Sequence, residues 1–337
     1  MDNDSSDITS DAGPIAAPYE IGAELHIRRH VPPRPFGGAN DPRPRPVAPV
    51  WQDGAAPDQE RTFTITGTKT LRRFGVDGGG AHVVTGYADR DKAAVYLAKI
   101  YDGETMQPVQ TVGGKLVPRY FGAWTFSLAT KQPGRRRWVR MLLLQLVHGE
   151  TMLDKILRAT RNGGIQYPLL PPEKFRLCVL KNLFEAEIAI WWDAEVLHSD
   201  QEPRNVIIRD DGSVVVLDFN QALVYRFAEQ HPKHRPGASR LAPSPIERYW
   251  PFAPGGTTLA DTEDSENPWA SWIPHDWPQN QDLAAEWLLE TWKDASPSKY
   301  RPLSDYFLNH PAHVQRGRKV LATLEMLGRK PRAVKNE

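Results

Sequence analysis

The sequence predicts an α+β protein, β-rich over residues 61–148 and helical over 149–328, and three observations carry the prediction. Runs of β-branched, aliphatic and aromatic residues bounded by glycine and proline recur from Thr62 to Val147, as consecutive strands do. The segment from Pro172 to Glu195 repeats apolar residues at spacings of three and four, which places them on one helix face. Val206–Ile208 and Val214–Leu217 flank Asp211-Gly212, a turn pair that favours an antiparallel hairpin.

Residues 1–60 are rich in Pro, Asp, Ala and Gly, with clusters at Val31–Pro35 and Pro42–Pro46. Such a segment buries too little apolar surface to offset its ordering entropy. It is expected to be a disordered Pro-rich tail, with a Pro-rich docking peptide as the functional alternative. Thr62–Thr66 and Leu71–Val76 then read as strands, followed by Gly78, Gly79 and Gly80 and a further strand from His82 to Gly86. The bare N–H groups of a glycine loop can approach phosphates closely, and a flexible hairpin tip is an equal reading. Ala94–Tyr101 is an apolar strand with one cation, Lys99. A lysine in a buried strand is costly unless paired, so Lys99 either faces a cleft and meets an anion or guards an edge strand.

Asp102–Pro118 contains Gly103, Pro108, Gly113, Gly114 and Pro118, which leaves no uninterrupted window for a helix of several turns. Tyr120–Phe126 and Arg140–Val147 read as two more strands, joined by the basic turn Gly134–Arg137. That turn is either a solvated tip or a contact for an acidic partner. In the long helix Leu177, Leu180, Phe184, Ile188 and Trp191 form the apolar face, and Lys181 pairs with Glu185 at i,i+4. Beyond the hairpin, Glu229–Pro243 is charged and Pro-rich, as a loop is. Asp282–Trp292 and Ala312–Leu327 are expected helices, the second stopped by Gly328 before a basic tail at 329–337.

The 337 residues carry a net charge of +1, so no electrostatic footprint for nucleic acid stands out. The longest apolar run, Met141–Val147 with Gln145 inside it, falls far short of the roughly 20 residues that span a bilayer. The N-terminus lacks the apolar core of a signal peptide. With Cys178 the single cysteine, an internal disulfide is excluded, and a reducing intracellular location, cytoplasmic or nuclear, is the expectation.

The chemistry is concentrated in His198-Ser199-Asp200-Gln201-Glu202-Pro203-Arg204-Asn205 and Asp218-Phe219-Asn220. Asn205 and Asp218 fall at the near end of one hairpin, and a carboxylate and an amide oxygen are hard ligands of the kind Mg²⁺ takes alongside water and phosphate. Asp200, on the loop entering the hairpin, is placed to act as a base. This order resembles the protein-kinase superfamily, whose catalytic loop runs His-Arg-Asp-x-x-x-x-Asn and whose metal loop runs Asp-Phe-Gly. Ser199 stands where the family carries Arg, Glu202 where Ser/Thr kinases carry Lys, and Asn220 where the metal loop carries Gly. Residues 62–328 also resemble kinase-like proteins of fungi that share the His-x-Asp-x-x-Pro-Arg-Asn and Asp-Phe-Asn motifs and a Trp-rich tail.

The resemblance implies a two-lobed protein-kinase-like fold, a small antiparallel β lobe lacking the usual helix C on a larger helical lobe, with ATP and Mg²⁺ in the cleft. Gly78, Gly79, Gly80 and Lys99 would then hold the phosphates, and Gln145 and Val147 would lie at the hinge that bonds adenine. Glu150 would reach a ribose hydroxyl, or else simply favour a helix start. Asp200 would take the proton of a substrate hydroxyl, and Asn205 and Asp218 would hold the metal. The phosphate acceptor, a protein or a small molecule, stays open. The missing helix leaves three possibilities: Lys99 works without its usual glutamate, another acid replaces it, or transfer is impaired. In the last case the chain is a pseudokinase that binds nucleotide or serves as a scaffold.

Overall fold

A computed structural model of the chain describes residues 19–30, 60–69, 82–101, 114–129, 136–161, 164–225, 241–250, 272–277 and 279–308, with Ala322 and Met326. The chain divides into two units, the first drawn from residues 1–32, 48–106 and 120–146, the second from 33–47, 107–119 and 147–337.

In the first unit six strands, β1 (Glu24–His30), β2 (Glu60–Lys69), β3 (His82–Ala88), β4 (Val95–Tyr101), β5 (Tyr120–Ala129) and β6 (Arg136–Gln145), form a closed barrel. Its order is β1-β2-β3-β4-β6-β5, every neighbour antiparallel. Alternate side chains of a strand point to opposite faces, so each strand sends one set inward. Leu25 and Ile27 of β1, Phe63 and Ile65 of β2, Ala98 and Ile100 of β4 and Met141 and Leu143 of β6 are buried together in the interior. Burial of side chains this large contributes about 1.5–3 kcal/mol each.

The closed barrel overturns the expected two-lobed protein-kinase-like fold. In place of a small antiparallel β lobe paired with a larger helical one, the first unit is a closed six-stranded barrel, and among the described residues only two helices are longer than eight residues. The physical reason lies in β1. The strands visible in the sequence, β2 to β6, would make an open sheet ending at β2 and β5. Glu24–His30 pairs with both, through Leu25↔Phe63 on one side and Arg29↔Trp124 on the other, and joins the two edges. That strand lies inside the segment expected to be a disordered tail. Arg136 and Arg137, expected in a turn, belong to β6 and pair with Ala129 and Leu128.

The second unit contains β7 (Glu150–Thr151), α1 (Met152–Ala159), β8 (Thr160–Arg161), β9 (Gly164–Ile165), α2 (Glu173–Asp193), β10 (Val196–Leu197), β11 (Val206–Ile208), β12 (Val214–Val216), β13 (Leu223–Val224), α3 (Pro245–Arg248), α4 (Gln281–Trp292) and α5 (Asp305–Leu308). The helix α2 occupies the expected segment and is the axis of the core. Val179, Leu180, Leu183, Phe184 and Ile188 pack in one cluster with Val206 and Val216 of the hairpin and with Trp272, Leu288 and Leu289. Near its start Arg176, almost wholly buried, donates to the carbonyls of Pro171 (3.1 Å), Trp272 (2.5 Å) and Ile273 (3.0 Å), and Trp272 Nε1 returns a bond to the Arg176 carbonyl at 3.2 Å. The buried guanidinium thereby places three of its N–H donors on backbone oxygens, the compensation that burial calls for.

Gly78–Gly80, the expected strand Leu71–Val76, Asp102–Gly113, residues 229–240 and the expected helix Ala312–Leu327 apart from Ala322 and Met326 lie outside the described residues. No helix among the described residues is long and apolar enough to cross a membrane. Cys178 is free and exposed on α2.

Candidate functional site

The site is built where β10 and β11 meet. After α2 the chain turns through Glu195 in the left-handed region (φ 55°), and β10 pairs with β13. His198 follows, buried, with Nε2 2.6 Å from the Leu217 carbonyl and its ring edge-on to Phe219 at 4.6 Å. A carbonyl only accepts, so the partners assign the proton to Nε2, which leaves Nδ1 to accept from the Asp200 backbone N–H at 3.3 Å. Ser199 between them is left-handed (φ 60°), and the Asp200 N–H meets the ring edge at Nδ1.

Asp200 is held on both carboxylate oxygens. Arg204 donates to Oδ1 at 2.9 Å, and buried Asn205 donates through Nδ2 to Oδ2 at 3.0 Å and to the Asp200 carbonyl at 2.9 Å. The Asn205 carbonyl in turn accepts from Leu217 N–H at 2.7 Å, extending the β11–β12 ladder one step past Val206↔Val216. Asp218, the next residue, lies at φ 59°, ψ 69°. The hairpin therefore brings Asn205 and Asp218 to one end, and the loop brings Asp200 to the same place. At the far end Gly212 makes the turn at φ +78°, a conformation costly for residues with a Cβ.

Three of the five non-glycine residues at positive φ among the described residues, Glu195, Ser199 and Asp218, fall in this short stretch. Such conformations cost about 1–3 kcal/mol each, persist only where the surroundings enforce them, and cluster at functional sites. Glu187 of α2 supports the same region. It accepts from the Tyr249 hydroxyl and lies 3.5 Å from Arg248. Burial holds its carboxyl above the ordinary carboxylate range and lifts the Tyr249 hydroxyl well above its own.

Of the other expected site residues, Lys99 and Gln145 belong to the first unit and Val147 and Glu150 to the second. Lys99 lies in β4 on the face opposite Ala98 and Ile100, which fill the barrel, so it is on the barrel's outer wall. Gln145 ends β6 opposite Tyr96, and Val147 follows it, partly buried. Glu150 opens β7 opposite Ile208 and is taken up by Lys155 at 2.8 Å and by Arg158. Hydrogen bonds from Arg158 and then Lys155 bring its carboxyl down to about 2. Gly78, Gly79 and Gly80 are outside the described residues. Glu187 was missed by sequence reasoning, because its one signal there was an acid on a helix otherwise rich in apolar residues.

No protein-family model and no curated protein matches the chain. What the site can do is therefore read from its chemistry. Among the described residues no group of three or more His, Cys, Asp and Glu side chains is arranged to hold a metal ion. Asp218 and the Asn205 amide oxygen, on the arm of the amide turned from Asp200, are hard donors too few for an all-protein cage. They fit Mg²⁺, which binds through one or two carboxylates and completes its shell with water and substrate phosphates.

Proposed function

We propose that the Asp200–Asn205–Asp218 end of the hairpin is a phosphotransfer site using ATP and Mg²⁺. The observation that carries the reading is the pair of hydrogen bonds from Asn205 Nδ2 to Asp200, one residue step from Asp218 across the hairpin. It fixes the carboxylate that would receive a proton and turns the amide oxygen the other way. Bound there by Asp218 and Asn205, Mg²⁺ would supply charge that neutralises the phosphates. Asp200, half-buried and oriented by Arg204 and Asn205, keeps lone pairs able to accept the hydroxyl proton of an acceptor. His198 acts through position: it fixes the Asp200 backbone on one side and the Leu217 carbonyl on the other. A fold on its own carries no activity, so the reading rests on this site alone.

Binding of nucleotide without transfer is the second reading, favoured by the ion pair of Arg204 with Asp200 Oδ1 at 2.9 Å. One experiment separates them. Thermal melting with ATP, with and without Mg²⁺, should show a Mg²⁺-dependent stabilisation of about 2.7 kcal/mol at 100 times the dissociation constant. The shift should vanish in Asp218→Ala. Asp200→Asn should keep the shift while ending phosphoryl transfer to an acceptor and the accompanying release of ADP. Turnover retained in Asp200→Asn overturns the transfer reading, and the absence of any ATP shift overturns both.

A further inference from the structure

At the end of the barrel where β1 and β3 finish and β2 and β5 begin, the inward-facing set stops being purely apolar. Arg29 follows Leu25 and Ile27 along the inner face of β1, and Arg61 precedes Phe63 and Ile65 along that of β2. Both line a cavity of about 550 Å³ together with Tyr96, Phe121, Trp124 and Leu143. Their guanidinium carbons lie 5.3 Å and 5.7 Å from the centre of the Trp124 ring. Charge facing into a barrel is costly to desolvate and is kept where something compensates it.

The compensation present is partial. Arg61 has Asp89 at 3.4 Å, both side chains half exposed. Arg29 donates to the Phe121 carbonyl at 2.8 Å and has no carboxylate partner among the described residues. Trp124 is 5% exposed, and its Nε1–H finds no acceptor, although a buried indole N–H usually has one. The backbone is shaped around the arginine. Gly122 sits at φ +123°, and a Cβ there would run into the Arg29 guanidinium. Tyr96 and Phe121, edge to face at 5.0 Å, and Leu143 supply an apolar wall beside these donors.

We infer that the barrel mouth is a binding site for a flat organic acid, its carboxylate received by the Arg29 guanidinium beside the Trp124 ring and its own ring lying against Tyr96, Phe121 and Leu143. Guanidinium presents a planar fork that matches a carboxylate. A cavity of about 550 Å³ is within the size of small-molecule sites, which are mostly apolar with a few placed polar groups. The site involves only residues of the first unit and does not depend on the phosphotransfer reading.

The test uses the full chain, with 1-naphthoate as probe in titration calorimetry and in spectra of the ¹⁵N-labelled indoles. 1-Naphthalenemethanol, the same ring without charge, and inorganic phosphate, charge without a ring, are the comparisons. One naphthoate should bind per chain and move the Trp124 Nε1–H resonance, identified by its loss in Trp124→Phe. Removing a charge-assisted bond should weaken binding roughly tenfold to a hundredfold in Arg29→Met. Arg29→Lys, which keeps the charge but not the planar fork, should weaken it several-fold and decides the matter if Arg29→Met does not fold. The alcohol and phosphate should bind far more weakly than naphthoate. No binding of naphthoate, equal binding of the alcohol, or an unmoved Trp124 resonance overturns the inference. So does unchanged affinity in Arg29→Met or, where that variant does not fold, in Arg29→Lys.

Discussion

Asn205 holds Asp200 twice, through its carbonyl at 2.9 Å and through its carboxylate at 3.0 Å, with one buried amide nitrogen. Because Asn205 also receives the Leu217 N–H, the loop and the hairpin are locked by a single side chain and its backbone. Asn205→Ala should therefore cost about 1–3 kcal/mol, the penalty for buried groups that lose partners. Urea unfolding checks the stability. In the phosphotransfer reading the same variant should also lose the Mg²⁺-dependent ATP shift, because the amide oxygen goes with the nitrogen.

His198→Leu tests the loop from the other side. The substitution keeps an apolar volume against Phe219 but leaves the Leu217 carbonyl and the Asp200 N–H without their partners. A destabilisation of about 1–3 kcal/mol is expected, read as a lower urea midpoint with unchanged slope. An unchanged midpoint would mean that the ring does not carry these bonds.

Arg176→Met should be among the costliest single changes in the second unit. Three carbonyls lose a charged donor at once. Hydrogen bonds to charged groups contribute about 1.5–3 kcal/mol each before compensation by water and packing, and a net loss of about 2–4 kcal/mol is the expected outcome in calorimetric melting.

Glu187 gives the molecule a pH dependence of defined sign. Burial raises its carboxyl above the ordinary value, against the lowering effects of Arg248, Tyr249 and His198. Between the unfolded and the raised folded pKa the native state binds more protons than the unfolded one. Stability is therefore full below the unfolded carboxylate pKa and falls as pH rises through the folded one. Glu187→Gln should flatten that slope, which chemical denaturation across pH 4–8 would reveal. Glu150 works in the opposite direction. Its carboxyl is lowered to about 2, chiefly by Arg158, so its contribution is present above the ordinary carboxylate range and is lost as pH falls towards 2.

Where local chemistry dictates structure, the sequence was readable. Asp211-Gly212 between two β-branched runs produced the hairpin, with Gly212 at positive φ. The three-and-four spacing of Leu177, Leu180, Phe184 and Ile188 produced α2, and Asp282–Trp292 falls within α4. The fold class was not readable, because the deciding strand hides its signal. Glu24–His30 has only two inward aliphatic residues, Leu25 and Ile27, and mixes them with His26, Arg28 and Arg29. Its partner β5 lies far along the chain, so no short window reveals the pairing. A catalytic-loop pattern is likewise a local object: one hairpin and its loop satisfy the spacing of His198, Asp200, Asn205 and Asp218 whatever surrounds them. The Glu187–Tyr249–Arg248 contacts depend on α2 and α3 meeting across dozens of residues, which spacing cannot announce.

The closing strand also sets an order of events during synthesis. Arg29 and its partner Phe121 are 92 residues apart, so at about 5–20 residues per second β1 leaves the ribosome roughly 5–20 s before β5 can reach it. Throughout that interval β1 and its hairpin neighbours expose unpaired N–H and C=O groups, the template on which strands of other chains add. Closure is a contact of high sequence separation and is slow for that reason. The nascent chain is thus most open to chaperones, and to misassembly, in the window that ends when Trp124 meets Arg29.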